Sequence, residues 1–150
     1  MLERYTEKAR LVIFYSRMEA SALGDPEIKA IHLLLGLLRE GKALFFKLQP
    51  REGNLEALRT ACVNQSLGGK RVSTSVDMAL DAEARSILSR ATEEADIRKH
   101  KDVDVEHLLL GSLHVPSKAR DILREHGFSY AKVNARLRGN PPLGDTLDYT

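Results

Sequence analysis

The chain has 150 residues, which suits one domain or two small halves sharing a core, and a chain of this length buries about 70% of its unfolded surface. Its 23 basic and 21 acidic residues leave a net charge of +2, which gives no reason to expect nucleic acid as a partner. The single cysteine, Cys62, excludes an intrachain disulfide and indicates a reducing compartment. Charged residues interrupt the first segment, and every apolar run is too short for a membrane span. We therefore predict a cytoplasmic protein with no membrane partner.

Seven residues of the first half recur in the second half. His-Leu-Leu-Leu-Gly-Leu-Leu at 32–38 returns as His-Leu-Leu-Leu-Gly-Ser-Leu at 107–113, an offset of 107 − 32 = 75 residues. The same offset pairs further apolar residues: Ala9 with Ala84, Val12 with Ile87, and Ala20 with Ala95. A match this long without a gap indicates a tandem duplication. We predict one domain over 1–138, made of repeats at 1–65 and 77–138 with a linker at 66–76, followed by a flexible tail at 139–150.

The first repeat predicts four helices. Thr6 can cap a helix whose apolar residues follow the 3.6-residue period, and Gly24 supplies a left-handed stop before Asp25-Pro26. The second helix is apolar nearly all round, so we expect it to be central and buried. The predicted helices run from Thr6 to Leu23, from Ile31 to Glu40, over 43–48, and from Asn54 through Cys62.

The second repeat predicts the same series. Asp81 is the candidate cap of its first helix, and His100–Asp104 forms the polar loop after that helix. The later helices are predicted at Glu106–Leu113, Ser117–His126 and Ser129–Arg138. No segment alternates at period two for long enough to form a sheet. The predicted fold is all-α, with about eight helices in two four-helix repeats related by a pseudo-twofold axis, whose apolar faces bury one another.

These motifs resemble a known family. A Thr-Glu-x-Ala-Arg-like start at Thr6, a glycine-containing turn and the doubled His-Leu-Leu-Leu-Gly are similar to the Clp N-terminal repeat domain, over residues 1–138. That domain precedes the ATPase modules of ClpA- and ClpC-type chaperones. The resemblance implies an all-α module that binds substrate or adaptor proteins and delivers them to a Clp ATPase or protease. It implies no enzymatic activity, no metal and no cofactor.

The ATPase modules themselves are absent from the sequence. Gly68-Gly69-Lys70-Arg71 lacks the spacing and the hydroxyl of a phosphate-binding loop, and a flexible linker is the favoured interpretation. The first hypothesis is therefore a stand-alone, non-catalytic protein-binding module. The alternative is the N-terminal part of an ATP-dependent Clp unfoldase whose catalytic modules lie outside this chain.

The resemblance also implies two pockets for phosphorylated arginine. In ClpC-like members a glutamate before the repeated histidine pairs with the guanidinium, and a threonine at the first-helix cap helps to hold the phosphate, as a carboxylate and a helix N-terminus can. The first copy here keeps Thr6 but has Ile31 in place of the glutamate, whereas the second keeps Glu106 but has Asp81 in place of the threonine. Neither copy is complete, so we expect phosphoarginine discrimination to be largely lost.

Several further residues have competing interpretations. His32 and His107 recur but lack a second ligand at helical spacing, so a buried imidazole donating to a backbone carbonyl is preferred to a metal site. Cys62 lies on an apolar helix face and is interpreted as a packed thiol. Glu93, Glu94 and Asp96 are interpreted as a solvated helix face.

Phe45 and Phe46 are adjacent on a short helix. Neighbouring residues of a helix point in different directions, so both rings cannot easily face the core. We expect one of the two to be exposed and to contribute to an apolar recognition surface.

Overall fold

The structure is a computed structural model, and it describes residues 2–49, 54–66, 68–73 and 77–138. Eight α-helices lie in this part of the chain, and no strand occurs within it, so the predicted all-α class is confirmed. The helices are α1 (Glu7–Ala22), α2 (Ala30–Glu40), α3 (Lys42–Leu48), α4 (Asn54–Asn64), α5 (Ala82–Ile97), α6 (Val105–His114), α7 (Lys118–Glu125) and α8 (Tyr130–Leu137). No helix among the described residues combines the length and the apolar character that crossing a membrane requires.

Short polar side chains fix where four of the helices begin. Thr6, Asp81, Ser117 and Ser129 each accept a hydrogen bond from the backbone N–H three residues later. These bonds satisfy one of the amides that the first turn leaves without a helical partner. At the other end of α1, Gly24 has φ = 79°, which confirms the left-handed stop expected from the sequence.

The repeated apolar segments form the centre of the molecule. Residues 30–38 of α2 and 107–113 of α6 are all buried, and the two helices contact each other. α1 covers α2, and α5 covers α6 in the same way. One continuous cluster of buried side chains includes residues of both repeats, so each repeat supplies part of the other's core.

Two short parallel bridges join the repeats in a reciprocal way. Tyr5 pairs with Val103, and Ile28 pairs with Leu80. The 75-residue offset converts the first pair into the second, because 5 + 75 = 80 and 28 + 75 = 103. The chain before the first helix of each repeat therefore pairs with the chain before the second helix of the other repeat, as a pseudo-twofold axis requires.

The glycine of each repeated motif lies where two helices cross closely. A Cβ added at Gly111 would lie 2.7 Å from the carbonyl oxygen of Ile87, and one at Gly36 would lie closer still to the carbonyl oxygen of Val12. Val12 and Ile87 are themselves equivalent by the 75-residue offset. The repeated glycine thus sets how closely α1 approaches α2 and how closely α5 approaches α6.

The predicted linker contains no helix in its described part, but it is anchored at residues 69–72. The backbone N–H of Val72 donates to the carbonyl oxygen of Ser21 at 2.9 Å, and the Ser21 hydroxyl donates to the carbonyl oxygen of Val72. Gly69 packs against Gly24, whose missing side chain leaves room for it. The linker therefore contacts the C-terminal end of α1 at Gly69 and Val72, and its flexibility stays a prediction. The predicted tail at 139–150 lies outside the described residues.

We expect Gly111→Ala and Gly36→Ala each to destabilise the fold by about 1–3 kcal/mol, because the new methyl group would push against backbone rather than a movable side chain. Urea denaturation followed by circular dichroism measures the change. Ser86→Ala, on the exposed face of α5, is the matched control and should stay within about 0.5 kcal/mol of the wild type. Equal stabilities for the glycine variants and this control would contradict the close-crossing argument.

Candidate functional site

The reciprocal bridges bring helix N-termini from different repeats together. The backbone N–H of Thr6 donates to the carbonyl oxygen of Val103, and the Thr6 hydroxyl donates to Oδ1 of Asp104 at 2.8 Å. Asp104 is the N-cap of α6, whose first turn carries Glu106. The chain that caps α1 thus lies beside the start of α6. We call this place, formed by Thr6, Asp104 and Glu106, the composite pocket.

The second pair of helix N-termini brings together the other two candidate residues, Asp81 and Ile31. The backbone N–H of Asp81 donates to the carbonyl oxygen of Ile28 at 3.0 Å, which places the start of α5 beside the start of α2. Ile31 lies in the first turn of α2 and is 5% exposed. The structure therefore groups Thr6 with Glu106 and Asp81 with Ile31, whereas comparison within each repeat had grouped them the other way. Sequence position alone cannot show that these segments of one repeat pair with segments of the other repeat.

The composite pocket is rich in carboxylates. Asp104 accepts from the Thr6 hydroxyl and from the backbone N–H of Val105, and its side chain lies in the same capping turn as Glu106. Burial raises the pKa of the Glu106 carboxyl, and the neighbouring His100 opposes this shift. Glu106 also lines a cavity of about 520 Å³ together with Arg98, Lys99 and His100, so its carboxylate lies among basic side chains as well as near Asp104.

His32 and His107 each accept a hydrogen bond from the backbone amide of the N-cap residue, at the starts of α2 and α6. The backbone N–H of Lys29 donates to Nδ1 of His32 at 2.8 Å, and that of Asp104 donates to Nδ1 of His107 at 2.8 Å. An imidazole nitrogen that accepts carries no proton, so the proton of each neutral ring lies on Nε2. The recurrence of both histidines in the sequence is explained by this structural role, which the sequence analysis did not identify.

The partner of each Nε2 is not a backbone carbonyl, so that part of the sequence prediction is wrong. His32 Nε2 lies 2.9 Å from Oδ2 of the buried Asp25, whereas His107 Nε2 lies 2.8 Å from Nδ1 of His100. Asp25 and His100 are equivalent by the 75-residue offset. Burial lowers the pKa of His32 against the opposing effect of Asp25. Burial, with the nearby charges of His100 and Arg98, lowers the pKa of His107 to about 4.

Three side chains lie close enough together to be considered as metal ligands. One nitrogen or oxygen from each of His100, Glu106 and His107 lies within 4.8 Å of the others. The helical spacing of ligands does not predict this group, because His100 lies in the loop before α6, seven residues before His107. A metal at His107 Nε2 would have to displace the proton that donates to His100, and the Asp104 amide already occupies Nδ1. The hydrogen-bond pattern therefore fits a structural pair of histidines better than a metal site.

Each repeat buries one glutamate at the same position of its first helix. Glu94 is fully buried, pairs with Arg90 and Arg98, and lies 2.8 and 2.9 Å from the Tyr130 hydroxyl. The interpretation of Glu94 as part of a solvated face is therefore wrong, although Glu93 and Asp96 are exposed. The signal was available, since arginines lie four residues before and four residues after Glu94.

The buried glutamates tie outer helices to the core. Glu19, equivalent to Glu94, binds the Arg59 guanidinium through both oxygens at 3.0 and 3.2 Å, which joins α1 to α4. Glu94 joins α5 to α8 through Tyr130. Burial alone would raise the pKa of Glu94, but the Tyr130 hydroxyl and the guanidinium groups of Arg98 and Arg90 outweigh it and hold the pKa below its usual value.

The adjacent phenylalanines point to different environments. Phe45 is 1% exposed and packs edge-to-face on Phe128, whereas Phe46 is 45% exposed. Phe14 and Ile97 are the other large apolar side chains exposed among the described residues. The exposure of one ring agrees with the sequence prediction, and a recognition role for Phe46 stays a prediction. Cys62 is buried as predicted, and burial raises the pKa of its thiol to about 12.

Two four-helix repeats, joined by pairing of the segments that precede their helices, define a duplicated helical domain. Its repeated motif identifies the family. The family model of the Clp repeat (R) N-terminal domain matches residues 4–126 and again 79–139. The chain belongs to this family, as the sequence resemblance indicated.

Relatives agree with this assignment, and a solved structure agrees with the fold. One relative is the ATP-dependent Clp protease ATP-binding subunit, ClpA homologue, of Cyanidium caldarium. It is 37% identical over 139 residues, which cover 91% of this chain and 16% of that protein. Chloroplastic ClpC2 from Arabidopsis thaliana is 36% identical over 114 residues, 75% of this chain and 12% of that protein. The N-terminal domain of ClpD from Arabidopsis thaliana superimposes with a TM-score of 0.70 at 22% identity, covering 89% of this chain and 94% of that one. The chain thus spans less than a fifth of the curated relatives' length.

Glu94→Ala should destabilise the fold by about 3 kcal/mol, because it leaves the largely buried guanidinium of Arg98 without its carboxylate partner. Glu93→Ala is the matched control, since this neighbouring side chain is 63% exposed, and it should change stability by less than about 0.5 kcal/mol. Urea denaturation measures both. A Glu94 variant as stable as the Glu93 variant would show that the buried cluster contributes nothing.

Stability should fall as the pH drops from about 7 to 5, since the unfolded chain protonates at His107 near its usual pKa of about 6.5 whereas the folded chain resists until about 4. This single group accounts for up to about 2 kcal/mol of the loss. His107→Gln, which can keep the capping bond, should lose correspondingly less over the same interval. Nitrogen-15 NMR of the wild type should find the proton of neutral His107 on Nε2. A titration midpoint of His107 near its usual value would contradict the assignment.

Proposed function

We propose that this chain is a non-catalytic module that binds substrate or adaptor proteins for a Clp ATPase or protease. The observation that carries the proposal is the family match across both repeats, since the matched part of each relative is a small segment of an ATP-binding subunit or chaperone. The exposed Phe14, Phe46 and Ile97 support protein contact, because exposed aromatic and large aliphatic side chains are common anchors of protein interfaces. The proposal includes no cofactor, no nucleic acid and no membrane partner.

An alternative is that the module forms the N-terminal part of an ATP-dependent Clp unfoldase. The reason for this alternative is that the chain matches only between 12% and 18% of the length of its relatives. The two proposals share the same binding role and differ in whether the gene encodes ATPase modules downstream of this one. Reading the gene beyond the codon for Thr150 separates them, because an unfoldase requires a phosphate-binding loop there. A cytoplasmic location also stays a prediction, since some relatives are chloroplastic.

We further propose that the composite pocket does not discriminate phosphoarginine. Glu106 retains the carboxylate that a guanidinium needs, and Thr6 retains its hydroxyl. Asp104, however, holds the Thr6 hydroxyl and brings a negative charge to the position where a phosphate would approach. The equivalent place at Asp81 and Ile31 has an aspartate at the helix cap and a buried aliphatic side chain in place of the glutamate. These features support a loss of phosphate recognition at the composite pocket, which keeps both Thr6 and Glu106, and a loss of guanidinium recognition at Asp81 and Ile31.

The proposed function predicts that the immobilised chain captures a Clp ATPase, an adaptor or a defined client from native lysate of its source. Mass spectrometry identifies the bound proteins, and Glu106→Ala tests whether the composite pocket contributes. A parallel calorimetric titration with free phosphoarginine should give no heat at millimolar concentrations. Saturable heat with the wild type that Glu106→Ala abolishes would overturn the loss of the pocket, and capture of no Clp-related protein would count against the function itself.

A further inference from the structure

A groove lies between the two repeats, beside α8. Its volume is about 430 Å³, and it lies between the C-terminal end of α3 and one face of α8. Leu48, Phe128 and Val133 supply its apolar lining, while the long side chains of Lys132 and Arg136 stand at its edge. The volume falls within the range of about 300–1,000 Å³ that is typical of ligand-binding clefts.

Contacts between the repeats hold the groove in its shape. Phe45 packs edge-to-face on Phe128 with ring centroids 5.5 Å apart, and Gln49 Nε2 donates to the carbonyl oxygen of His126 at 3.3 Å. Gly127 has φ = 91°, a backbone conformation that residues with a side chain rarely adopt, and Gln49 Nε2 lies close to the place that a Cβ would occupy there. The Arg136 guanidinium donates to the carbonyl oxygen of Lys47 at 2.6 Å. The walls are therefore fixed before any partner arrives, which lowers the entropic cost of binding.

The charge at the groove has one sign. Its described lining includes two cations and no carboxylate. Every charged residue of α8 is basic, and Arg138 adds a third cation at the C-cap. In the first repeat the 75-residue offset places Ala57 and Ala61 where Lys132 and Arg136 stand. The basic edge therefore belongs to the second repeat alone, although the chain as a whole carries a net charge of only +2.

We propose that this groove docks an acidic peptide segment of a partner protein, one that presents an aliphatic or aromatic side chain flanked by Asp or Glu. The apolar side chain would pack against Leu48 and Ala135, which are accessible in the groove, and the flanking carboxylates would pair with Lys132 and Arg136. The inference rests on the proposed protein-binding function and specifies the chemistry of the segment. Single-stranded nucleic acid fits less well, because Phe128 is 3% exposed and offers no open ring face for a base to stack on.

Two tryptophan substitutions on α8 form the matched test. Ala135 is exposed and lines the groove, so Ala135→Trp should fill it without touching the core, whereas Ala131→Trp places the same side chain on an exposed position outside the lining. The probe is a fluorescein-labelled peptide with a Leu-Phe pair flanked by aspartates, followed by anisotropy on the full chain. We expect Ala131→Trp to bind as the wild type does and Ala135→Trp to bind at least about tenfold more weakly.

A charge test uses the same probe. The double variant Lys132→Gln and Arg136→Gln should weaken binding and flatten its dependence on salt, since two ion pairs with the peptide are lost. The control pair is Lys8→Gln and Lys101→Gln, which removes two exposed cations from other parts of the chain and should leave affinity unchanged. Circular dichroism confirms that all variants remain folded.

Four results would overturn the docking proposal. The first two are equal affinity of the wild type and Ala135→Trp for the probe, and equal affinity of the wild type for a probe with lysines in place of the aspartates. The other two are binding of a single-stranded oligonucleotide, or of a peptide copied from residues 139–150 of this chain, that is tighter than binding of the probe. The lysate experiment keeps this failure separate from that of the proposed function. If Ala135→Trp captures the same Clp-related proteins as the wild type, the function stands and the groove is not its site.

Discussion

The structure depends on the reciprocal pairing of chain segments between its two repeats. Tyr5 pairs with Val103 and Ile28 pairs with Leu80, and each pair is the image of the other under the 75-residue offset. The backbone hydrogen bonds join Val103 to Arg4 and Thr6, and Ile28 to Ala79 and Asp81. Neither repeat can make these bonds alone, because each supplies one segment from before its first helix and one from before its second. This pairing between the repeats also explains the single continuous core, and it determines which helix N-termini become neighbours.

The repeats share a scaffold and have diverged in the side chains around it. The close glycine crossings, the capping histidines and the buried glutamates occur at equivalent positions in both. The groups that contact them differ, since the histidine of α2 faces Asp25 and that of α6 faces His100. Likewise α4 carries alanines where α8 carries Lys132 and Arg136. The duplicated core is thus shared between the two halves of the molecule, and the two surfaces have become chemically distinct.

This divergence bears on function through electrostatics. The cavity at Glu106 combines one carboxylate with the basic side chains of Arg98 and Lys99, while the described lining of the groove along α8 has cations and no carboxylate. A domain with a net charge of only +2 therefore presents two places that differ in their pattern of charge. Protein segments carry both signs of charge and apolar side chains, so this combination suits the recognition of proteins better than the recognition of a uniform polyanion.

Periodicity and local hydrogen bonding are enough to predict the repeat, the number and approximate bounds of the helices, their caps at Thr6 and Asp81, and the burial of the doubled apolar segment. The three-dimensional packing is needed to show that Thr6 lies beside the start of α6, that Glu94 is buried, and that Gln49 contacts the turn at Gly127. Each of these joins residues from separate segments of the chain. The physical reason is that a helix pattern specifies which face is apolar, whereas the partner of that face is chosen by packing in three dimensions.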